Sequence, residues 1–273
     1  MSNAESDERP EVVLYRATHH AAAFFDLDRT LISGASAFAF GIAAWRADMY
    51  PTRRFARDAL RAVAFRLSGA SDEVADAARD QMLSAVEGNR QADLVALNGD
   101  IIPKLLGKVR PEAKELVELH RRAGRDTYIV SASPQEYVEP LAQALGMTGG
   151  IGTRAEVKDG IYTGTLAGPF CYGAGKVEAI QEMAEWEGYD LSRCYAYSDS
   201  ASDLPMLEAV GHPIAVNPDG HLERVARQRG WPVVIFRRRT KTVMRRTTAV
   251  VAAGATAAGA FVAGVEVGRH RKR

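Results

Sequence analysis

The sequence predicts an α/β fold: a parallel sheet covered by helices on both faces, with a helical insertion after its first strand. Three observations predict it. Short apolar runs of strand length recur along the chain, and segments of helical apolar spacing lie between them. From about Ser36 to Lys108 this alternation stops and only helical spacing remains. With 273 residues and 47% hydrophobic composition, the chain can fill a core with a smaller insertion beside it.

The elements follow in order. Residues 1–19 read as a flexible N-terminus without the basic and apolar regions of a signal peptide. The run 21–25 ends in Asp26 and suits a buried parallel strand. In the insertion, Ala56, Leu60, Val63, Ala64 and Leu67 follow helical spacing, as do Val74, Ala78, Met82 and Val86. Residues 111–123 read as a helix stopped by Gly124. Tyr128, Ile129 and Val130 form a strand ending at Ser131. Ser133 as N-cap, Pro134 at the first position and Glu136 as capping-box partner open the next helix, which Gly146 stops. A small separate hairpin is expected at 156–165, turning at Asp159-Gly160. Val177, Ile180 and Met183 mark a helix ending near Gly188, and the runs 194–197, 213–216 and 233–236 complete the strands. The expected division is a core of residues 20–35 and 109–236, an insertion of 36–108, and a basic linker with an apolar tail at 237–273.

A net charge of +1 gives no overall attraction to nucleic acid, so no nucleic-acid partner is expected. Cys171 and Cys194 belong to no CxxC pair or Cys/His cluster; they read as reduced thiols of a cytoplasmic protein. Residues 247–265 carry no charge and have basic residues on both sides. As a helix they reach about 28 Å, close to a bilayer's hydrocarbon thickness. Attachment to a membrane through this tail is one reading. The other is an Ala-rich tail in water, since the segment holds no Leu or Ile.

Chemistry concentrates at the strand ends. Asp26 and Asp28 sit two residues apart just past an apolar strand, so both can converge on one reacting group at the carboxyl edge of the sheet. Alone, this segment is equally a solvated turn. A second acidic pair, Asp199 and Asp203, follows another strand. Four carboxylates at two strand ends repel one another, and a hard divalent cation such as Mg2+ resolves the repulsion. Ser202 as a helix N-cap, with Asp203 in the first turn, is compatible with this. Ser131 can bind an anion through its hydroxyl and the backbone amides behind it, or be an ordinary turn serine. Lys176 opens a helix, where a positive charge opposes the dipole; it faces phosphate and carboxylates, or it is a solvated surface lysine. Gly173-Ala174-Gly175-Lys176 is not a P-loop, because Phe170 and Val177 occupy the positions that need Gly and Ser or Thr.

Together these pieces resemble the haloacid dehalogenase superfamily. Asp26-Leu27-Asp28-Arg29-Thr30 matches its first motif, Ser131 its second, Lys176 its third, and Asp199 with Asp203 its acidic fourth. The insertion resembles the helical cap of phosphoserine phosphatase relatives, and the motif wording resembles subfamily IB hydrolases. The resemblance implies a Rossmann-like core and a magnesium-dependent phosphatase acting on a small phosphorylated substrate. It makes Asp26 the nucleophile that becomes an aspartyl-phosphate, and Asp28 the acid and then the base. Asp26, Asp28 and Asp199 hold the metal, Ser131 and Lys176 the phosphate, and Thr30 and Asp203 support them.

The substrate is less legible. Phosphoserine phosphatases usually carry Glu nine residues after the nucleophile, Ser-Gly-Gly at the second motif and Asn before the last Asp; here stand Ala35, Ser131-Ala132-Ser133 and Ser202. Strict phosphoserine specificity is therefore not expected. Arg53, Arg54, Arg57, Arg61 and Arg66 either steer an anionic substrate or form a solvated helix face. Ala37, Phe38, Phe40 and Trp45 line a pocket or form the core of the insertion. A phosphate-binding regulatory protein without turnover is the alternative of another class.

Overall fold

The computed structural model describes residues 20–47 and 72–236. The N-terminal segment, the helix expected around Ala56–Leu67 with its arginines, and the C-terminal tail lie outside the described residues, as do the side chains of Phe38, Val74 and Ala78.

In chain order the strands are β1 (Ala22–Asp26), β2 (Asp126–Pro134), β3 (Gly149–Thr153), β4 (Ala155–Lys158), β5 (Ile161–Leu166), β6 (Tyr195–Ser198), β7 (His212–Val216) and β8 (Val233–Val234). The main sheet runs β3-β2-β1-β6-β7-β8, and every pairing in it is parallel. Strand β1 is buried along its whole length, as its unbroken apolar run requires. It lies between β2 and β6, so the chain order reverses around it, the place where open α/β sheets form a crevice. The pairs Asp26↔Val130 and Phe25↔Tyr197 bring the carboxyl ends of all three strands level.

The helices are α1 (Ser36–Arg46), α2 (Asp72–Val86), α3 (Gln91–Ala96), α4 (Asn98–Leu106), α5 (Pro111–Arg122), α6 (Gln135–Ala144), α7 (Ala174–Glu187), α8 (Leu204–Glu208) and α9 (Gly220–Arg229). The first four occupy the expected insertion, and no strand interrupts them among the described residues. Gly124, Gly146 and Gly188 follow or cap α5, α6 and α7 with φ of 69°, 69° and 75°. These are the left-handed stops that the sequence predicts.

Three expectations need correction. Strand β2 does not stop at Ser131; it runs to Pro134, which pairs with Thr153. Ser133 is therefore strand rather than helix cap, and Pro134 occupies the N-cap position of α6 without a side-chain cap bond. Strand β3, Gly149-Gly150-Ile151-Gly152-Thr153, was not anticipated. Its glycines admit α6: a Cβ on Gly150 would lie 2.7 Å from the Val138 main chain, and one on Gly152 2.8 Å from Ser133 O. On the outer edge of β3, Gln135 donates to Gly150 O (2.8 Å) and accepts from Gly152 N (2.5 Å), while Glu139 accepts from Gly150 N (2.7 Å). The β4–β5 hairpin turns at Asp159-Gly160 as expected, both with positive φ, and forms a two-stranded sheet separate from the main one. The main chain before α3 pairs with it through Gly88 N–Tyr162 O, Tyr162 N–Asn89 O and Gln91 N–Gly160 O at 2.9–3.0 Å. Finally, Ser200, not Ser202, caps the short turn at Ala201–Asp203 by accepting from Ser202 N.

Candidate active site

At the end of β1 the chain turns sharply. Leu31 N and Ile32 N both donate to Leu27 O, and Arg29 N donates to Gly34 O (3.0 Å) with Arg29 itself at φ 62°. This tight turn keeps Asp28 beside the strand end. Its carboxylate accepts from Ser36 N at 2.7 Å. Thr30 is buried, and its hydroxyl has no partner, so it sits inside the turn.

Lys176 arrives from the far side of the sequence. A Cβ on Gly175 would lie 1.9 Å from Phe170 O, so only glycine lets this loop close up and deliver the lysine. The Lys176 ammonium donates to Asp26 Oδ1 (2.7 Å) and to Asp203 Oδ2 (2.8 Å) and is 2% exposed. It is no surface lysine. Ser198 also donates to Asp203 Oδ2 (2.7 Å), whereas the buried Asp203 Oδ1 has no hydrogen-bond partner. Asp199 follows β6 directly. Its carbonyl accepts from Asp219 N (2.8 Å), and the Asp219 carboxylate accepts from Ala201 N (2.9 Å), which fixes the acidic loop against α9. The exposed Arg29 guanidinium stands 3.7 Å from Asp199 Oδ2. Ser131 is buried at the end of the intervening strand, its hydroxyl accepting from Ser133 N (3.3 Å).

The electrostatics are those of crowded acids. Burial pushes Asp26 above the ordinary carboxylate range; Lys176 opposes this, and Asp203 and Asp199 add to it. Burial raises Asp28 as well, opposed by its bond from Ser36. Asp199 is pushed up to about 7 by burial, against the pull of Arg29 and with the repulsion of Asp203 and Asp219. Burial works against the charge on Lys176, yet Asp203 and Asp26 hold its pKa above the usual lysine range.

A hard cation suits this donor set. The acids outnumber the one buried lysine, all the donors are oxygens, and Asp203 Oδ1 is a buried acceptor that a cation-bound water can satisfy. Among the described residues no three His, Cys, Asp or Glu form a ready-made cage. Both cysteines are free and buried.

Residues 23–208 match the family model of haloacid dehalogenase-like hydrolases. The chain belongs to that family. This haloacid dehalogenase-like hydrolase is 42% identical over 249 residues to a probable phosphatase of Mycobacterium tuberculosis, covering 88% of this chain and 86% of that protein. It is 41% identical over 264 residues to a phosphoserine phosphatase of the same species, covering 95% and 83%. A solved structure of a protein of unknown function from Bordetella pertussis shares 30% identity at a TM-score of 0.67, over 79% of this chain and 98% of that one.

Within the hydrolase, Asp26, Lys176 and Asp203 are in direct contact. Asp199 stands beside Arg29, and Asp28 is held through Ser36. Sequence reasoning missed Arg29, Ser36 and Asp219. Arg29 lies inside the first motif, but no pattern marks its reach to Asp199. Asp219 begins an Asp-Gly pair ahead of a helix, a cap signal that would have located it.

Proposed function

We propose that this hydrolase is a magnesium-dependent phosphomonoesterase that forms an aspartyl-phosphate at Asp26. The observation that carries the reading is the lysine bridge from Asp26 to Asp203 at the carboxyl edge of the sheet. It holds a nucleophile-competent carboxylate and a cation together where a phosphoryl group can enter. Mg2+ would be held by the Asp26 and Asp199 carboxylates and the Asp28 main-chain carbonyl, and when bound it supplies charge neutralisation for the phosphoryl oxygens. The Asp26 carboxylate attacks phosphorus in line, the ester P–O bond breaks, and Asp28 gives its proton to the departing oxygen. Asp28, now a carboxylate, takes a proton from water as that water attacks phosphorus. The bond to Asp26 then breaks and phosphate leaves. Ser131 and Lys176 bind the phosphoryl oxygens, and Thr30 supports the turn. The expected insertion serves as a cap domain in this reading, its described part being α1 to α4.

The substrate in this reading is a small phosphorylated metabolite or a lipid-related phosphate. A relative named phosphoserine phosphatase favours phosphoserine as the second reading, while Ala35 offers no carboxylate for its ammonium group. A phosphate-release assay with Mg2+ on phosphoserine, phosphoethanolamine, lysophosphatidate and sugar phosphates tests both. Asp26→Asn abolishes release on every substrate; turnover near the wild-type rate in that variant removes the mechanism. No turnover on any substrate favours the non-catalytic phosphate-binding alternative. A kcat/KM for phosphoserine well above all the others restores the second reading.

Attachment to a membrane through residues 247–265 is a separate proposal and rests on the sequence alone. No helix among the described residues is long and apolar enough to cross a membrane, and the tail lies outside them.

A further inference from the structure

We propose that Ser36, Ser133 and Tyr137 form a hydroxyl network that positions Asp28 as proton donor, making Ser36 and Tyr137 positioning residues for the reaction. The inference rests on the acid–base role given to Asp28 above. Ser36 is fully buried at the first position of α1, and its amide donates to Asp28 Oδ1 at 2.7 Å. Helix α1 has no cap of its own, because Ala35 at the N-cap has no side-chain acceptor. Asp28 takes that place, so one of the orphan donors at the helix start is satisfied by the reacting carboxyl itself.

An amide alone fixes the carboxyl only as well as the amide is fixed. The Ser36 hydroxyl provides the anchor: it lies 3.0 Å from Ser133 Oγ and accepts from Tyr137 Oη at 3.4 Å. A buried hydroxyl needs such partners, and these come from β2 and α6, elements of the sheet layer rather than of the insertion. One turn along α1, Phe40 stacks on the Tyr137 ring at 5.8 Å. Burial keeps the Tyr137 phenol well above its ordinary range, so it stays a neutral donor. Ser133 continues the chain, since its amide donates to Ser131 Oγ at 3.3 Å. The network thus runs from Asp28 to Ser131, and it explains why Ser133 is drawn away from capping α6.

The test compares leaving groups. An alkyl phosphate expels an alkoxide and needs the Asp28 proton; p-nitrophenyl phosphate expels a stable phenolate and needs it far less. In Ser36→Ala and Tyr137→Phe, the ratio of kcat/KM for the alkyl ester to kcat/KM for the nitrophenyl ester falls by about tenfold or more. Ser36→Thr keeps the hydroxyl and recovers the wild-type ratio. Equal losses on both esters, or an unchanged ratio, overturn the proposal. Tyr137→Phe removes one oxygen atom, so it decides the matter even if Ser36→Ala fails to fold. Turnover near the wild-type rate in Asp26→Asn would sink the underlying mechanism instead, which keeps the two failures apart.

Discussion

Replacing Lys176 by Met keeps the volume of the side chain and deletes the charge that two buried carboxylates share. Lys176 makes two charge-assisted hydrogen bonds, at 2.7 and 2.8 Å, from a site 2% exposed. Each such bond contributes about 1.5–3 kcal/mol. The loss has a ceiling, because an orphaned carboxyl can take up a proton instead. Neutralising an ordinary aspartate at pH 7 costs roughly 4 kcal/mol. The expected destabilisation is therefore about 3–5 kcal/mol, in line with breaking a buried pair from one side. For a chain of this size that corresponds to roughly 10 °C in Tm. Equilibrium urea unfolding at pH 7, followed by circular dichroism in metal-free buffer, measures it. Adding Asp203→Asn removes one of the stranded charges, so the double variant regains part of the loss while remaining inactive. The penalty also shrinks with falling pH. Asp26 is raised in the fold above its unfolded value of 3.8, so its cost is fully present above the folded pKa, shrinks as pH falls, and vanishes only below the unfolded value, where both states carry the neutral acid. A loss below about 1 kcal/mol, or a double variant no more stable than the single one, would refute the claim that Lys176 holds these acids together.

Asp199→Ala shifts the Mg2+ titration of activity to higher concentration by about tenfold or more, because it removes a hard oxygen ligand; an unchanged titration contradicts the metal assignment. His120 accepts from Arg125 through Nδ1 at 2.7 Å and meets Tyr197 Oη at 2.8 Å, and burial lowers its pKa from 6.5 to about 4. Between those values the unfolded chain binds a proton that the fold refuses, so the His120 contribution to stability is full above pH 6.5 and declines as pH falls towards 4. Urea midpoints across this window should fall less steeply in His120→Gln than in the wild type, and parallel curves would exclude the effect. For the tail, full-length protein and a truncation ending at Phe236 are fractionated with membranes at low salt. The attachment proposal expects only the full-length chain to sediment, and two wholly soluble proteins end it.

What the sequence revealed was whatever sits next to an apolar run. Asp26 and Lys176 are 150 positions apart and yet were paired by motif order, because each stands at a strand or helix end whose hydrophobic pattern is plain. Strand β3 escaped because three of its five residues are glycine; its identity depends on how closely α6 approaches, and periodicity carries no trace of that. Ser133 was misread for a related reason. Ser-Pro-x-Glu is a sound local cap signal, but Pro134 pairs with Thr153 and extends the strand, while Ser36 offers the hydroxyl a better partner. Local preference lost to tertiary contact. The docking of the hairpin on the chain before α3 was equally out of reach, since main-chain pairing between residues 88–91 and 160–162 leaves no side-chain signature.

The side chains of Gln135 and Glu139 along β3 bear on how copies of this protein can meet. A strand at the border of a sheet is a template for another chain, and natural proteins blunt such borders. Here the Gln135 amide reproduces the donor and acceptor of a neighbouring backbone, and Glu139 takes the next N–H. A second molecule adding a strand at this border would first have to evict both side chains and give up three hydrogen bonds. Glutamine at the head of α6 thereby acts as a molecular stopper against edge-to-edge pairing.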